Sequence, residues 1–117
     1  MSLWDVNKEP EEEAYKGRSL MSWFTDLKRG NVRLGVAGKV MAPQTAADCL
    51  DAGCDFVLLG RAAILHHDYP RRLAADAGFQ PLALPVTREH LQAEGLGPAF
   101  VDYMNSWRGF VAEPVAA

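Results

Sequence analysis

Apolar residues along this chain change their spacing several times, and each change marks an element. Leu20, Trp23, Phe24 and Leu27 recur at i, i+3, i+4 and i+7, which predicts a helix with a single apolar face. Lys28 and Arg29 suit the negative end of that helix, and Gly30 suits a left-handed stop. The next segment, NVRLGVAGKV, alternates β-branched and small residues and reaches Gly38, which predicts a strand and then a tight turn. Pro43 fits the first turn of a following helix, because its missing N–H is one that a helix start leaves unpaired. That helix carries Ala46, Ala47 and Leu50 and stops at Gly53. DFVLL then runs almost continuously apolar, as a parallel strand covered on both faces does. A short helix from Arg61 gives way to HHDYP, and RRLAADAG forms a further helical run to Gly78.

From Phe79 the pattern changes. FQPLALPV, with Pro81 and Pro85, reads as extended chain. Thr87 is placed to cap a helix through REHLQAEG, and Phe100, Tyr103, Met104 and Trp107 mark the apolar face of a last helix. The expected organisation is therefore 1–78 followed by a C-terminal extended and helical tail over 79–117. The acidic, proline-interrupted stretch NKEPEEEAYK reads as a solvated loop or a first helical turn. Helix, strand, helix, strand, helix is the rhythm of an α/β protein. A right-handed crossover puts the turns after Ala37 and after Leu59 on the same C-terminal sheet edge, where ligands bind in such folds.

Composition narrows the classes of function. The 117 residues, 49% hydrophobic and 23% charged, suit one globular domain. No apolar run approaches the roughly 20 residues that span a bilayer. The N-terminus lacks the layout of a secretory signal, so no membrane partner is expected. A net charge of −3 gives no support for nucleic acid as the partner, since binding the phosphate backbone needs a basic patch. Cys49 and Cys54 match neither a zinc-ligand pattern nor a disulfide framework, and they read as packing residues in a reducing, cytoplasmic setting.

The candidate chemistry lies in two glycine-bearing loops. In AGKV, Gly38 lets backbone approach an anion closely, and successive N–H groups can point outward as a nest. In GRAA, Gly60 does the same at a helix start, and Arg61 adds a charged fork that takes two phosphate oxygens at once. Convergence of both loops and the arginine on one point is what makes a phosphate site. The remaining candidates have blander readings. His66 and His67 are adjacent and diverge, so no metal is assigned to His66-His67-Asp68, and His90 receives no role. Asp55 sits at a strand start, the wrong edge for catalysis, and reads as a cap or an ion-pair partner. Trp4 and Tyr103 read as core-filling aromatics, and the role of Arg33 is open.

The stretch VRLGVAGKVMAPQTAADCLDAGCDFVLLGRAAILHHDYPRRL resembles the C-terminal part of the old yellow enzyme group, the FMN-dependent NADH:flavin oxidoreductases. Gly38 matches the loop after strand seven of that family. Gly53, Asp55, Val57, Gly60 and Arg61 match its G-x-D-x-V-x-x-G-R, and Asp68 and Pro70 follow two apart. SLWDV resembles the end of strand six, and the tail LPVTREHLQAEGLGPAFVDYMNSWRGFV resembles the ending of one branch, so the similarity runs from about Ser2 to Val111.

The resemblance implies the last strand–helix units of a TIM (β/α)8 barrel: the end of strand six, strands seven and eight, and a C-terminal helical tail. It implies FMN as cofactor, with its phosphate gripped by Gly38, Lys39, Val40, Gly60 and Arg61, and NADH or NADPH as hydride donor. Lys39 departs from the family, which often has an apolar residue there. A whole barrel takes about 250 residues, so the chain corresponds to a C-terminal third. The family's substrate-anchoring His pair and tyrosine proton donor have no counterpart here, and no catalytic residue is assigned. An incomplete barrel exposes a strand edge, which implies self-association or pairing with the remaining barrel portion. Two alternatives stand beside this reading: a non-catalytic fragment without activity of its own, and a different phosphate-binding barrel.

Overall fold

The computed structural model describes residues 1–114; residues 115–117, the end of the expected tail, lie outside the described residues. The chain divides into two compact units, Met1–Arg61 and a second that begins at Ala62. The composition change at Phe79 falls inside the second unit.

The first unit is built on a parallel β–α–β arrangement. Strand β1 (Gly35–Ala37) pairs in parallel with β2 (Phe56–Leu58), in the register Gly35–Phe56, Val36–Val57, Ala37–Leu58. Helix α2 (Pro43–Asp51) connects them, with Pro43 in its first turn as the sequence predicts. On the other side of β1, Ser2 bridges Ala37 in parallel, with Leu3 N–H donating to Ala37 O (2.8 Å) and Ala37 N–H to Met1 O (2.9 Å). The glycine at 35 is dictated by packing: a Cβ there would lie 2.2 Å from the Phe56 ring. Leu3, Val6, Met21, Val36, Val40, Cys49 and Cys54 form the core, with Leu20, Ala46, Val57 and Leu59 against it.

Two expectations about this unit need correction. Helix α1 (Leu20–Thr25) exists, but it buries Met21, while Trp23, Phe24 and Leu27 remain exposed. Trp23 packs instead under the Arg18 guanidinium (3.8 Å) and edge-on to Tyr15 (5.5 Å). Strand β2 is not covered on both faces, because Phe56 is 46% and Leu58 50% exposed. Alternate residues share a face of a sheet, and among the described residues nothing covers the face that these two occupy.

Helix α3 (Arg61–Leu65) starts at the last residue of the first unit. In the second unit follow α4 (Tyr69–Ala75), an extended segment, α5 (Arg88–Ala93) and α6 (Pro98–Asn105). Thr87 caps α5 as expected, its Oγ1 accepting from His90 N–H at 3.1 Å. The extended segment ends in a parallel bridge between Val86 and Val111. Leu91, Val101, Met104 and Phe110 are buried. Of the stripe expected on α6, Met104 is buried as predicted, with Val101 beside it, whereas Phe100, Tyr103 and Trp107 lie on the surface, contacting one another. Among the described residues no helix is long and apolar enough to cross a membrane.

Candidate functional site

The two glycine-bearing loops meet at one end of the small sheet. After β1, the chain turns through Gly38 (φ 152°) and Lys39 (φ 53°). Gly38 O accepts from Val6 N–H at 3.0 Å, which ties this turn to the segment after Leu3. A Cβ at position 38 would sit 3.1 Å from Asp5 N and 3.2 Å from Trp4 backbone atoms, so the close approach of that segment requires glycine. Lys39 holds the left-handed conformation without being glycine, as does Trp4 (φ 65°). Such conformations cost about 1–3 kcal/mol and concentrate at functional sites.

All five residues expected to grip phosphate line one cavity of about 190 Å³: Gly38, Lys39 and Val40 on one side, Gly60 and Arg61 on the other. Ser2, Trp4, Met41 and Leu58 complete its wall. Among the described residues, no protein group accepts from the backbone N–H of Lys39, Val40 or Gly60. Neither Lys39 nor Arg61 is paired with a carboxylate among the described residues. Arg61 instead lies over the Trp4 ring, 5.5 Å from its centroid, inside the roughly 6 Å range of a cation–π contact. Helix α3 has only five residues, so few peptide dipoles add at its start. The attraction for an anion therefore rests on the loop amides and the two cations.

This arrangement offers N–H donors and two positive charges to a small oxyanion. Hydrogen bonds to charged groups contribute about 1.5–3 kcal/mol each, so Arg61 alone can decide whether binding is measurable. The volume sets a limit. Pockets that enclose a drug-sized ligand run to roughly 300–1,000 Å³, and this one, at about 190 Å³, is smaller than that range.

The other sequence candidates are placed as follows. Asp55 Oδ2 accepts from Leu34 N–H (2.7 Å) and faces Arg29 Nη2 (3.6 Å), the capping and ion-pair role expected of it. Cys49 and Cys54 are free and buried, and burial pushes both thiols up, with Cys54 adding to the effect at Cys49. Trp4 and Tyr103 do not fill core, since both are more than half exposed. His66 is buried and His67 exposed, so the two rings diverge as adjacent positions do. Burial pushes the His66 imidazole below its ordinary range, and the Arg72 charge adds to this. A side-chain hydrogen bond from Arg72 holds Asp68 low. Burial alone would raise Glu94, but hydrogen bonds from the His67 ring and backbone outweigh it and the carboxyl lies low.

Sequence reasoning missed three features. The left-handed backbone at Lys39 and Trp4 leaves no mark in residue type, since neither is glycine or asparagine. Trp4 as a stacking partner for Arg61 depends on a contact across more than fifty residues. The approach of His90 and Glu94 to His66 depends on how α5 returns, and no spacing rule encodes that. No family model, curated protein or solved structure matches this chain.

Proposed function

We propose that the cavity between the 38–40 and 60–61 loops binds the phosphate of FMN, and that the chain is the phosphate-gripping portion of a flavin oxidoreductase of the old yellow enzyme type. One observation carries this reading: Gly38, Lys39, Val40, Gly60 and Arg61 line a single cavity in which, among the described residues, the amides of Lys39, Val40 and Gly60 have no protein acceptor and neither cation has a carboxylate partner. Lys39, Val40 and Gly60 would donate their N–H groups to phosphate oxygens, and Arg61 would take two oxygens through its fork. Flavin, when bound, supplies hydride transfer between NADH or NADPH and an electron-poor acceptor. The chain's own residues orient and neutralise its phosphate, and no catalytic residue is assigned among them.

In this reading β1 and β2 are strands seven and eight of a (β/α)8 barrel, and Ser2–Leu3 is the end of strand six. The free edge and exposed side chains of β2 would then meet either a second copy or a further barrel portion. A cytoplasmic setting accompanies the proposal, supported by two buried free thiols.

Equilibrium dialysis against FMN, riboflavin and inorganic phosphate tests the assignment. FMN and phosphate should compete for one site, and riboflavin, which lacks the phosphate, should not bind. Equal retention of riboflavin and FMN would overturn the assignment of this cavity to phosphate.

A further inference from the structure

In the second unit three histidines and two carboxylates gather where the α3–α4 turn meets α5, and none of them belongs to the cavity described above. Ring nitrogens of His66 and His90 and a carboxylate oxygen of Glu94 all lie within 4.8 Å of one another. His66 is only 4% exposed. Its Nε2 accepts from Leu82 N–H (3.0 Å), while its Nδ1 has no partner among the described residues. His90 Nε2 contacts the Leu65 carbonyl at 2.7 Å, and a carbonyl only accepts, so Nε2 carries the proton and Nδ1 keeps a free lone pair. A backbone carbonyl behind one ring nitrogen is the support that fixes a metal-binding histidine. The Glu94 side chain is 8% exposed, and Oε2 is anchored by His67 through its backbone N–H (3.0 Å) and its ring. Oε1 is left with Arg72 Nη2 at 3.9 Å, beyond hydrogen-bond reach.

We propose that His66, His90 and Glu94 form a binding site for one divalent transition-metal ion of the zinc class. Two imidazoles and a carboxylate are a donor set that such an ion takes, with the fourth position left to water or a ligand. Metal–nitrogen bonds run to about 2.0–2.1 Å, and donor atoms that all lie within 4.8 Å of one another can share one ion. Arg72 opposes the ion, but its Nε is held by Asp68 at 2.8 Å, which keeps the guanidinium from closing on Oε1. One rearrangement is obligatory. With Leu82 N–H on Nε2, the neutral His66 ring holds its proton on Nδ1. Coordination through Nδ1 moves that proton to Nε2 and releases the Leu82 amide. Leu82 is therefore a reporter of loading that needs no substitution.

A second set, His67, Asp68 and Glu94, is less suited, because Arg72 already occupies Asp68 and Glu94 Oε2 is engaged by His67. Titration of the full chain with Zn²⁺ by calorimetry, and with Co²⁺ by visible absorption, tests the site. One ion per chain should bind with micromolar or tighter affinity, and Co²⁺ should give the intense bands of four-coordination. His90→Gln and Glu94→Gln should each weaken binding by at least about 10–100-fold, the range that even outer-shell partners command. In the unsubstituted protein, Zn²⁺ should shift the Leu82 amide resonance and speed its exchange. No binding at millimolar Zn²⁺, binding kept in His90→Gln, or a Leu82 amide indifferent to bound metal would each overturn the proposal.

Discussion

Lys39 shows how one residue can serve binding at the expense of stability. Its φ of 53° is a conformation that costs a non-glycine residue roughly 1–2 kcal/mol, whereas glycine's greater freedom in the unfolded chain costs about 0.5–1 kcal/mol. Lys39→Gly should therefore raise the urea midpoint slightly, by a net of up to about 1 kcal/mol, while removing a cation from the cavity and weakening phosphate affinity. A variant that keeps its affinity would show that the Lys39 side chain has no part in the grip. The neighbouring glycine should behave in the opposite way. Gly38→Ala puts a Cβ 3.1 Å from Asp5 N in a left-handed backbone, and should cost about 1–3 kcal/mol in urea denaturation. Glycine at 38 was legible because its type alone announces a tight approach. The left-handed turn at Lys39 was not, because lysine announces nothing about φ.

Elements were legible where their signals are local. Pro43 opens α2 and Thr87 caps α5 because a missing N–H and a short hydroxyl act on the residues beside them. Thr87→Ala should destabilise by about 1 kcal/mol, seen as faster exchange of the His90 amide. What periodicity could not tell is which side of a helix meets the core. Trp23 in α1 and Phe100 and Tyr103 in α6 keep helical spacing, but they find aromatic or cationic partners at the surface, and the smaller Met21, Val101 and Met104 turn inward. DFVLL was misjudged for a related reason, since an apolar run reports what a strand can bury and not what is present to bury it. Cys49 in α2 and Cys54 just before β2 supply a pH signature for the first unit. Burial holds both thiols above the ordinary range of about 8.5. The unfolded chain therefore releases these protons first, and the stability they contribute, complete at neutral pH, is lost as pH rises through that range. Urea midpoints should fall between neutral pH and about pH 10, and Cys49→Ala with Cys54→Ala should flatten the slope. Ready reaction of the native protein with a thiol reagent at neutral pH would contradict their burial.

For the whole molecule, the exposed side of β2 leads to a prediction about association. Phe56 and Leu58 are half exposed beside an edge that, among the described residues, pairs with nothing. A row of unpaired backbone groups with apolar neighbours is a template for another strand. Sedimentation should show concentration-dependent self-association that Leu58→Lys weakens, and a monodisperse monomer at high concentration would count against this role for the edge. The cavity was more legible than the fold around it. Gly38 and Gly60-Arg61 were matched to a phosphate site by their order along the chain, and parallel strands bring their loops to one end whatever sheet they belong to. The metal-ligating cluster depends on the return of α5 and could not be seen in the same way.

The phosphate grip is the centre of this account, and the most direct test is titration of FMN into the intact chain by flavin fluorescence, alongside Arg61→Ala. The account predicts saturable binding at micromolar FMN and at least a tenfold loss in the variant, as expected for removal of a charge-assisted hydrogen bond of about 1.5–3 kcal/mol. No binding at millimolar FMN, or equal binding by both proteins, would contradict it.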